Sequence, residues 1–328
     1  MVIGDVEAPS GELDASISDL AAVDPEEVIA EAEESETTER AVRTAGPPRP
    51  SALVIVLAVI LFSSIVAAFL GVFAFGLSSV QEHRSQQQLY AEFRQLLPGI
   101  PTAPRIGGDI PAGTPIALLN APAAGIHNVV VIEGTSSGDL LEGPGHLANT
   151  PLPGQGGEAV IVGKSTTAGA PFADLARLRK GDVITVRTGQ GPFRFTVQGL
   201  LPPGTHQPAI LATRGRLVLV TSASAAGVGG LEPSQTIDVE AALQGKAVAA
   251  PPHAPKTVPL SEVPGQTDPG AWPFVALWLA GLAVASAAVW WLWARLGILR
   301  AWIIGAPVLL ALLWGLGNEA MRLLPNVY

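Results

Sequence analysis

Cysteine is missing from all 328 residues of the chain. This absence excludes disulfide bonds, metal sites built from thiolates and any mechanism that uses a cysteine nucleophile. Charged residues are also scarce, at 14%, and the mean hydropathy is +0.39. A chain so poor in charge is expected to contain membrane-spanning segments.

Basic residues are few in the first 50 positions. This segment contains 13 of the 28 acidic residues and 3 of the 19 basic residues, so it carries a net charge of −10 and the remainder carries +1. Residues 1–50 bury too little apolar surface to fold, and we expect a disordered acidic tail, with a docking tail for a cytoplasmic partner as the alternative. The remainder lacks the positive field that would favour nucleic acid as a partner.

Ser51 to Leu77 is an uncharged apolar run of 27 residues. A helix needs about 20 such residues to cross a bilayer, so we predict a transmembrane helix over 51–77. Three arginines precede the run, at positions 40, 43 and 49. The positive-inside rule then predicts a cytoplasmic N-terminus.

Two further apolar runs lie near the C-terminus, at 271–294 and 301–317. We predict two more transmembrane helices there, joined by a cytoplasmic turn at Arg295 and Arg300. The second run is short for a full crossing, so a re-entrant or interfacial segment remains an alternative. A short C-terminal tail, 318–328, follows.

Two connecting segments complete the membrane plan. Residues 78–113 are predicted to form a stalk and loop, with leucine and phenylalanine side chains at helical spacing in its first part: Leu89, Phe93, Leu96 and Leu97. Residues 244–270 contain six prolines and are predicted to form a semi-rigid tether.

The segment 114–243 carries the pattern of a mainly β domain. Short runs rich in valine and isoleucine alternate with Gly, Pro and Asn, and one short helix fits 172–178. A small β-barrel or sandwich of seven or eight strands follows from this spacing, with a hairpin connection at 188–192. The predicted strands are Pro115–Leu119, His127–Glu133, Glu158–Gly163, Val183–Thr188, Phe193–Leu200, Arg216–Thr221 and Thr236–Leu243.

Several motifs in this segment resemble those of sortases, the membrane-anchored cysteine transpeptidases that attach proteins to bacterial cell walls. The resemblance covers about residues 89–243 and implies a sortase-like β-barrel outside the cytoplasm. It rests on Val129–Thr135, Gly143–His146 with Thr150–Gln155, Gly163, Gly169-Ala170-Pro171-Phe172 with Gly181-Asp182, and Leu217–Thr221.

The resemblance also implies a catalytic triad that this chain does not have. Family members use a cysteine nucleophile, a histidine acid and an arginine that stabilises the substrate, and the corresponding positions here are Ser222, Lys164 and Thr236. We therefore expect a degenerate sortase without catalysis. The alternative is an active transpeptidase or peptidase in which Lys164 is the base for Ser222, as in other Ser–Lys enzymes.

Four further residues are candidates for the substrate groove that the resemblance implies: His146, Thr150, Thr221 and His206. Both histidines also have an interpretation without substrate binding. His146 would order its own loop, and His206 would be an exposed loop residue. The histidine spacing indicates no metal site, and no cofactor is expected.

These observations predict a multi-pass protein of the bacterial cell membrane with its β-domain outside the cytoplasm. The expected partners are the lipid bilayer, a sorting-signal-like peptide or another cell-envelope protein, and an active sortase. A purely structural alternative makes the β-domain a spacer whose groove is filled by side chains or by the 201–212 loop.

Overall fold

The computed structural model describes residues 51–96, 110–201, 213–223, 235–249, 258–263 and 265–326. The predicted acidic tail, His206 and most of the 201–212 loop lie outside these residues. Residues 63–328 form one compact unit, and residues 51–62 belong to another.

The first apolar run is helical and leads into the stalk without a loop. Helix α1 spans Ala52–Val72, a π-helical turn spans Phe73–Leu77, and α2 spans Ser78–Leu96. The predicted apolar face of α2 is confirmed at Leu89 and Phe93, which are both buried. Leu89 packs on the outside of the β-domain, so the stalk is part of that domain's packing.

The β-domain is a closed eight-stranded barrel, as predicted, in the order β1-β2-β3-β4-β7-β8-β6-β5. The seven predicted strands are confirmed to within two residues. Strand β3 is only two residues long and was not predicted. The strands are β1 Pro115–Ala121, β2 Ile126–Glu133, β3 Gly145–His146, β4 Gly157–Val162, β5 Val183–Thr188, β6 Gly191–Leu201, β7 Gly215–Ala223 and β8 Gln235–Leu243.

The predicted helix over 172–178 is wrong in kind and in length. Only a single 3-10 turn forms there, Leu175–Arg177, and Leu178 already has an extended backbone. Leu175 and Leu178 are buried in the barrel core. The extended backbone of Leu178 ends the turn after three residues.

The barrel core consists of inward-facing aliphatic side chains and Phe195 from the strands, together with Phe172 from the loop after β4. Alternate residues of each strand point into the core, as the period of a β-strand requires. Members of this cluster include Leu119, Val131, Ile161, Phe172, Leu219 and Val239.

Two helices follow the barrel and pack against each other. Helix α3 spans Trp272–Leu296, and α4 spans Ile298–Arg322. Between them Gly297 has a φ of 84°, which only glycine adopts without strain. The hairpin packs closely because Gly305 of α4 leaves no room for a methyl group beside Val289 of α3.

Within the described residues, three helices are long and apolar enough to cross a membrane. The third is 25 residues long, longer than the apolar run that predicted it. Its end returns to the β-domain, where Ser137 donates a hydrogen bond to the carbonyl of Met321 at 3.2 Å.

Candidate functional site

Strands β4 and β7 are parallel neighbours and bring two predicted site residues to the same end of the sheet. Their register pairs Val162 with Val220, so Lys164 emerges from β4 beside Ser222 of β7. Thr236 lies directly opposite Ser222 on the next strand, β8. The three positions singled out from the sequence are therefore neighbours across three adjacent strands.

Gly163 fixes the turn that carries Lys164. A methyl group at this position would lie 2.5 Å from the ring of Phe172, so the phenylalanine can enter the core only because position 163 is glycine. The Phe172 N–H donates to the Lys164 carbonyl at 3.0 Å, and the Thr221 hydroxyl donates to the Gly163 carbonyl at 2.8 Å. Thr221, a predicted groove residue, is buried and serves this turn.

The Ser222 hydroxyl is buried and is hydrogen-bonded to another hydroxyl. Its Oγ lies 3.0 Å from Oγ of Ser165. A serine becomes a strong nucleophile when a base within hydrogen-bond reach takes its proton. Ser165 is not such a base, because a second hydroxyl accepts a proton no better than Ser222 does.

The Lys164 side chain is buried, with only 1% of its surface exposed. Its Nζ has no hydrogen-bond partner among the described residues, and Ser222 is therefore not one. Burial lowers the pKa of Lys164 from the ordinary 10.5 to about 8, because the interior penalises the charged form. The ammonium form still predominates at pH 7.

His146 is also buried and is held by hydrogen bonds on both ring nitrogens. Nδ1 lies 2.8 Å from a carboxylate oxygen of Glu133, and Nε2 lies 3.0 Å from the Pro151 carbonyl. The hydroxyl of Thr150 donates to the Leu147 carbonyl at 2.7 Å, so it presents only lone pairs to Nε2 at 3.1 Å. Nε2 therefore carries a proton, and His146 ties the 146–151 loop to β2.

Comparison with known protein families identifies this arrangement. Residues 119–226 match the family model of the sortase domain. The chain contains a sortase domain. The match contains Lys164 and Ser222 but ends before β8, so the assignment of Thr236 to the arginine position comes only from the strand pattern.

Several solved sortases match up to about half of the chain. A sortase D5 transpeptidase of Clostridium perfringens is 20% identical, with a TM-score of 0.39, and covers 50% of this chain and 98% of its own. Sortase E of Streptomyces avermitilis is 28% identical, with a TM-score of 0.35, and the match covers 42% of this chain and 92% of sortase E. The SrtA sortase of Actinomyces oris is 26% identical, with a TM-score of 0.36, and the match covers 45% of this chain and 89% of SrtA. No curated protein sequence matches.

The arginine of β7 in this sortase domain is not available to the Ser222 end of the strand. Arg216 is buried and forms ion pairs with Glu158 at 2.9 Å and with Glu240 at 3.2 Å. It lies six residues from Ser222 along β7. Its charge is neutralised at the far end of the sheet, so it does not replace the arginine of the family.

Two residues near Ser222 were missed from the sequence. Ser165 follows Lys164 directly, and its hydroxyl is the partner of Ser222. Asp238 pairs with Val220 in the sheet and has one carboxylate oxygen, Oδ1, that is buried and lacks a partner among the described residues. The only sequence signal was that an acidic residue in a β-strand is unusual.

A second feature of the sortase domain lies away from Ser222. A cleft of about 490 Å³ separates the stalk helix α2 from the start of β2 and the loop after β4. Its lining includes Glu82, His83, Gln86, Tyr90, His127 and Asp174. Within the described residues, no three His, Asp or Glu side chains are placed to bind a metal ion.

Proposed function

We propose that this chain is a membrane-anchored sortase-family protein that binds a peptide or protein at the cell envelope without catalysing transpeptidation. The observation that carries the proposal is the hydrogen bond between Ser222 and Ser165 at 3.0 Å. The residue at the nucleophile position has a hydroxyl as its partner and not a base. The whole sequence also lacks the cysteine on which the family chemistry depends.

The electrostatics around Ser222 support the same conclusion. Acyl transfer needs donors or a cation placed where negative charge develops on the substrate oxygen. Thr236 is uncharged, and Arg216 is paired with two carboxylates. Lys164 is the one nearby cation of the described residues, and its Nζ makes no hydrogen bond to Ser222.

The anchoring part of the proposal places the N-terminus in the cytoplasm and the sortase domain outside. Three helices of sufficient length and hydropathy support it, together with the arginines before the first and between the last two. The end of α4 contacts the same domain as the stalk does, through Ser137 and Met321. One side of the membrane would then hold the barrel, the stalk and the C-terminus.

Intact-mass spectrometry would test the proposal on the full-length protein in detergent. The protein is incubated with Leu-Pro-x-Thr-Gly peptides, beside the variant Ser222→Ala. We expect no covalent adduct in either protein, and measurable peptide binding in a parallel titration. An adduct confined to the wild type would identify an acyl-enzyme on Ser222 and establish the serine-dependent alternative. If neither an adduct nor binding were detected, peptide recognition would be wrong.

A further inference from the structure

The outer surface of β4, β7 and β8 carries two buried polar atoms that have no partner among the described residues. They are Nζ of Lys164 and Oδ1 of Asp238. Asp238 points away from the barrel core, because its neighbour Val239 points into it. Lys164 follows Gly163, whose missing side chain would face the core residue Phe172. Buried polar atoms are almost always hydrogen-bonded in native proteins, so two orphans on one surface call for an explanation.

The sheet register places these atoms on either side of a group of hydroxyls. Thr236 pairs with Ser222, and Asp238 pairs with Val220, one step further along β7. On the opposite side of β7, Lys164 comes level with Ser222 two residues after the end of β4. We call Lys164, Ser165, Ser222, Thr236 and Asp238 together the Ser222 face.

The Lys164 end of the Ser222 face has the chemistry of a carboxylate site. A buried ammonium without a counter-ion is costly, and an anion that reaches it removes that cost. Ser165 and Ser222 share one hydrogen bond, and the hydroxyl that accepts in it keeps its own proton to donate to an anion beside the ammonium. A neutral amide would satisfy the hydroxyls but would leave the ammonium uncompensated.

Asp238 lies at the other end of the Ser222 face and determines which ligand group fits there. An ionised carboxylate only accepts hydrogen bonds, so its free oxygen is complementary to an N–H donor. Its negative charge also disfavours a ligand with a second anionic group. A phosphate dianion would fit poorly, since Lys164 is the only cation of the described Ser222 face.

We propose that the Ser222 face recognises a peptide carboxylate, held by Lys164, with a peptide N–H bound to Asp238. This inference rests on the peptide binding proposed above and specifies the class of peptide. The carboxylate has two possible sources, a free C-terminus or an acidic side chain. Because Lys164 is almost fully covered, ligand entry requires local movement, and association is slower than the usual 10⁵–10⁷ M⁻¹s⁻¹.

The test compares three fluorescent peptides with the full-length protein in nanodiscs by anisotropy. The first ends in Leu-Pro-Ala-Thr with a free carboxylate, the second is its C-terminal amide, and the third is an amide with an internal glutamate. The expected result is binding of one carboxylate peptide at least tenfold tighter than the plain amide. Tighter binding of the first peptide would mean that Lys164 binds a C-terminal carboxylate. Tighter binding of the third peptide would mean that it binds an acidic side chain.

Variants connect the preference to the named residues. Lys164→Met is expected to reduce carboxylate binding to the level of the amide and to leave amide binding unchanged, and Lys164→Arg to retain the preference. Lys180→Met removes an exposed lysine and serves as the matched control. Asp238→Asn is expected to weaken the binding of all three peptides. If Lys164→Met does not fold, the wild type at pH 10 replaces it, where the neutral amine should lose the preference.

The outcomes separate this inference from the proposed function. Equal binding of the three peptides would leave peptide recognition standing and would overturn the role of Lys164. A carboxylate preference that survives both in Lys164→Met and at pH 10 would overturn it as well. Absence of binding for every peptide would overturn the proposed function, and the inference with it.

Discussion

The side-chain amide of Gln86 pairs with the backbone of Val130 as a neighbouring β-strand would. Gln86 Oε1 accepts the Val130 N–H at 2.7 Å, and Nε2 donates to the Val130 carbonyl at 3.1 Å. The same Nε2 donates to the Glu142 carbonyl at 3.0 Å. One residue of the stalk therefore satisfies the backbone groups of β2 at a point where the sheet offers no partner.

Replacing Gln86 with alanine is expected to loosen the stalk from the sortase domain. The backbone groups of Val130 would lose their partners, and the free energy of unfolding should fall by about 1–3 kcal/mol. Hydrogen exchange of the Val130 amide should accelerate markedly. Gln87→Ala is the matched control, because Gln87 is exposed and its amide is hydrogen-bonded to the exposed His83 of the same helix. Equal protection of Val130 in both variants would contradict the role of Gln86.

His146→Ala is expected to destabilise the sortase domain by about 3 kcal/mol. The substitution leaves the buried carboxyl group of Glu133 without its partner at 2.8 Å, and such orphaned groups are costly. The check is the midpoint of thermal unfolding, compared with His127→Ala, which removes an exposed histidine. A mutant of His146 as stable as that of His127 would show that the buried network contributes little.

Asn326 is expected to anchor the C-terminus to the sortase domain. Its Nδ2 donates to the carbonyls of Thr135 at 2.9 Å and Val263 at 3.0 Å, and its Oδ1 accepts the Gly265 N–H at 2.8 Å. Asn326→Ala should therefore increase hydrogen exchange in the loop after β2. Asn326→Asp retains the acceptor for the Gly265 N–H and loses the donor, so it removes the bonds to Thr135 and Val263 together. Unchanged exchange in both variants would argue against an anchor.

Stability should rise with pH between about 8 and 10.5 because of Lys164. Burial lowers its pKa in the folded state to about 8, so the folded protein releases the proton before the unfolded chain does. The penalty, about 3 kcal/mol, is complete below pH 8 and is relieved as the pH approaches 10.5. Denaturant titrations of wild type and Lys164→Met across this range provide the measurement.

The methionine variant should lack this rise in stability and should be the more stable protein at pH 7. Lys180→Met, at an exposed position, should retain the full rise. A wild-type profile that is flat from pH 8 to 10.5 would mean that Lys164 is not held in a desolvated environment. Such a result would also remove the electrostatic reason for a carboxylate at the Ser222 face.

Local patterns were sufficient to predict the strands and the apolar helices. The continuous apolar runs at Val129–Ile132 and Leu217–Val220, rich in β-branched residues, indicated strands, because run length and residue type are properties of neighbouring residues. The pattern failed at 172–178, where only a 3-10 turn forms and the backbone is already extended at Leu178. The sequence pattern also failed to predict β3, because a strand of two residues is too short to show the alternation of side chains.

The order of residues was enough to predict the class of the protein: three apolar helices, a mainly β domain of the sortase pattern, and no cysteine to perform the family's chemistry. The partners of the individual polar groups depend on the folded arrangement. Ser222 is bonded to Ser165, Lys164 is buried without a partner, and Gln86 completes the edge of β2. Apolar runs and strand periods are local signals, whereas hydrogen bonds between residues 44 or 57 positions apart depend on how the whole barrel closes.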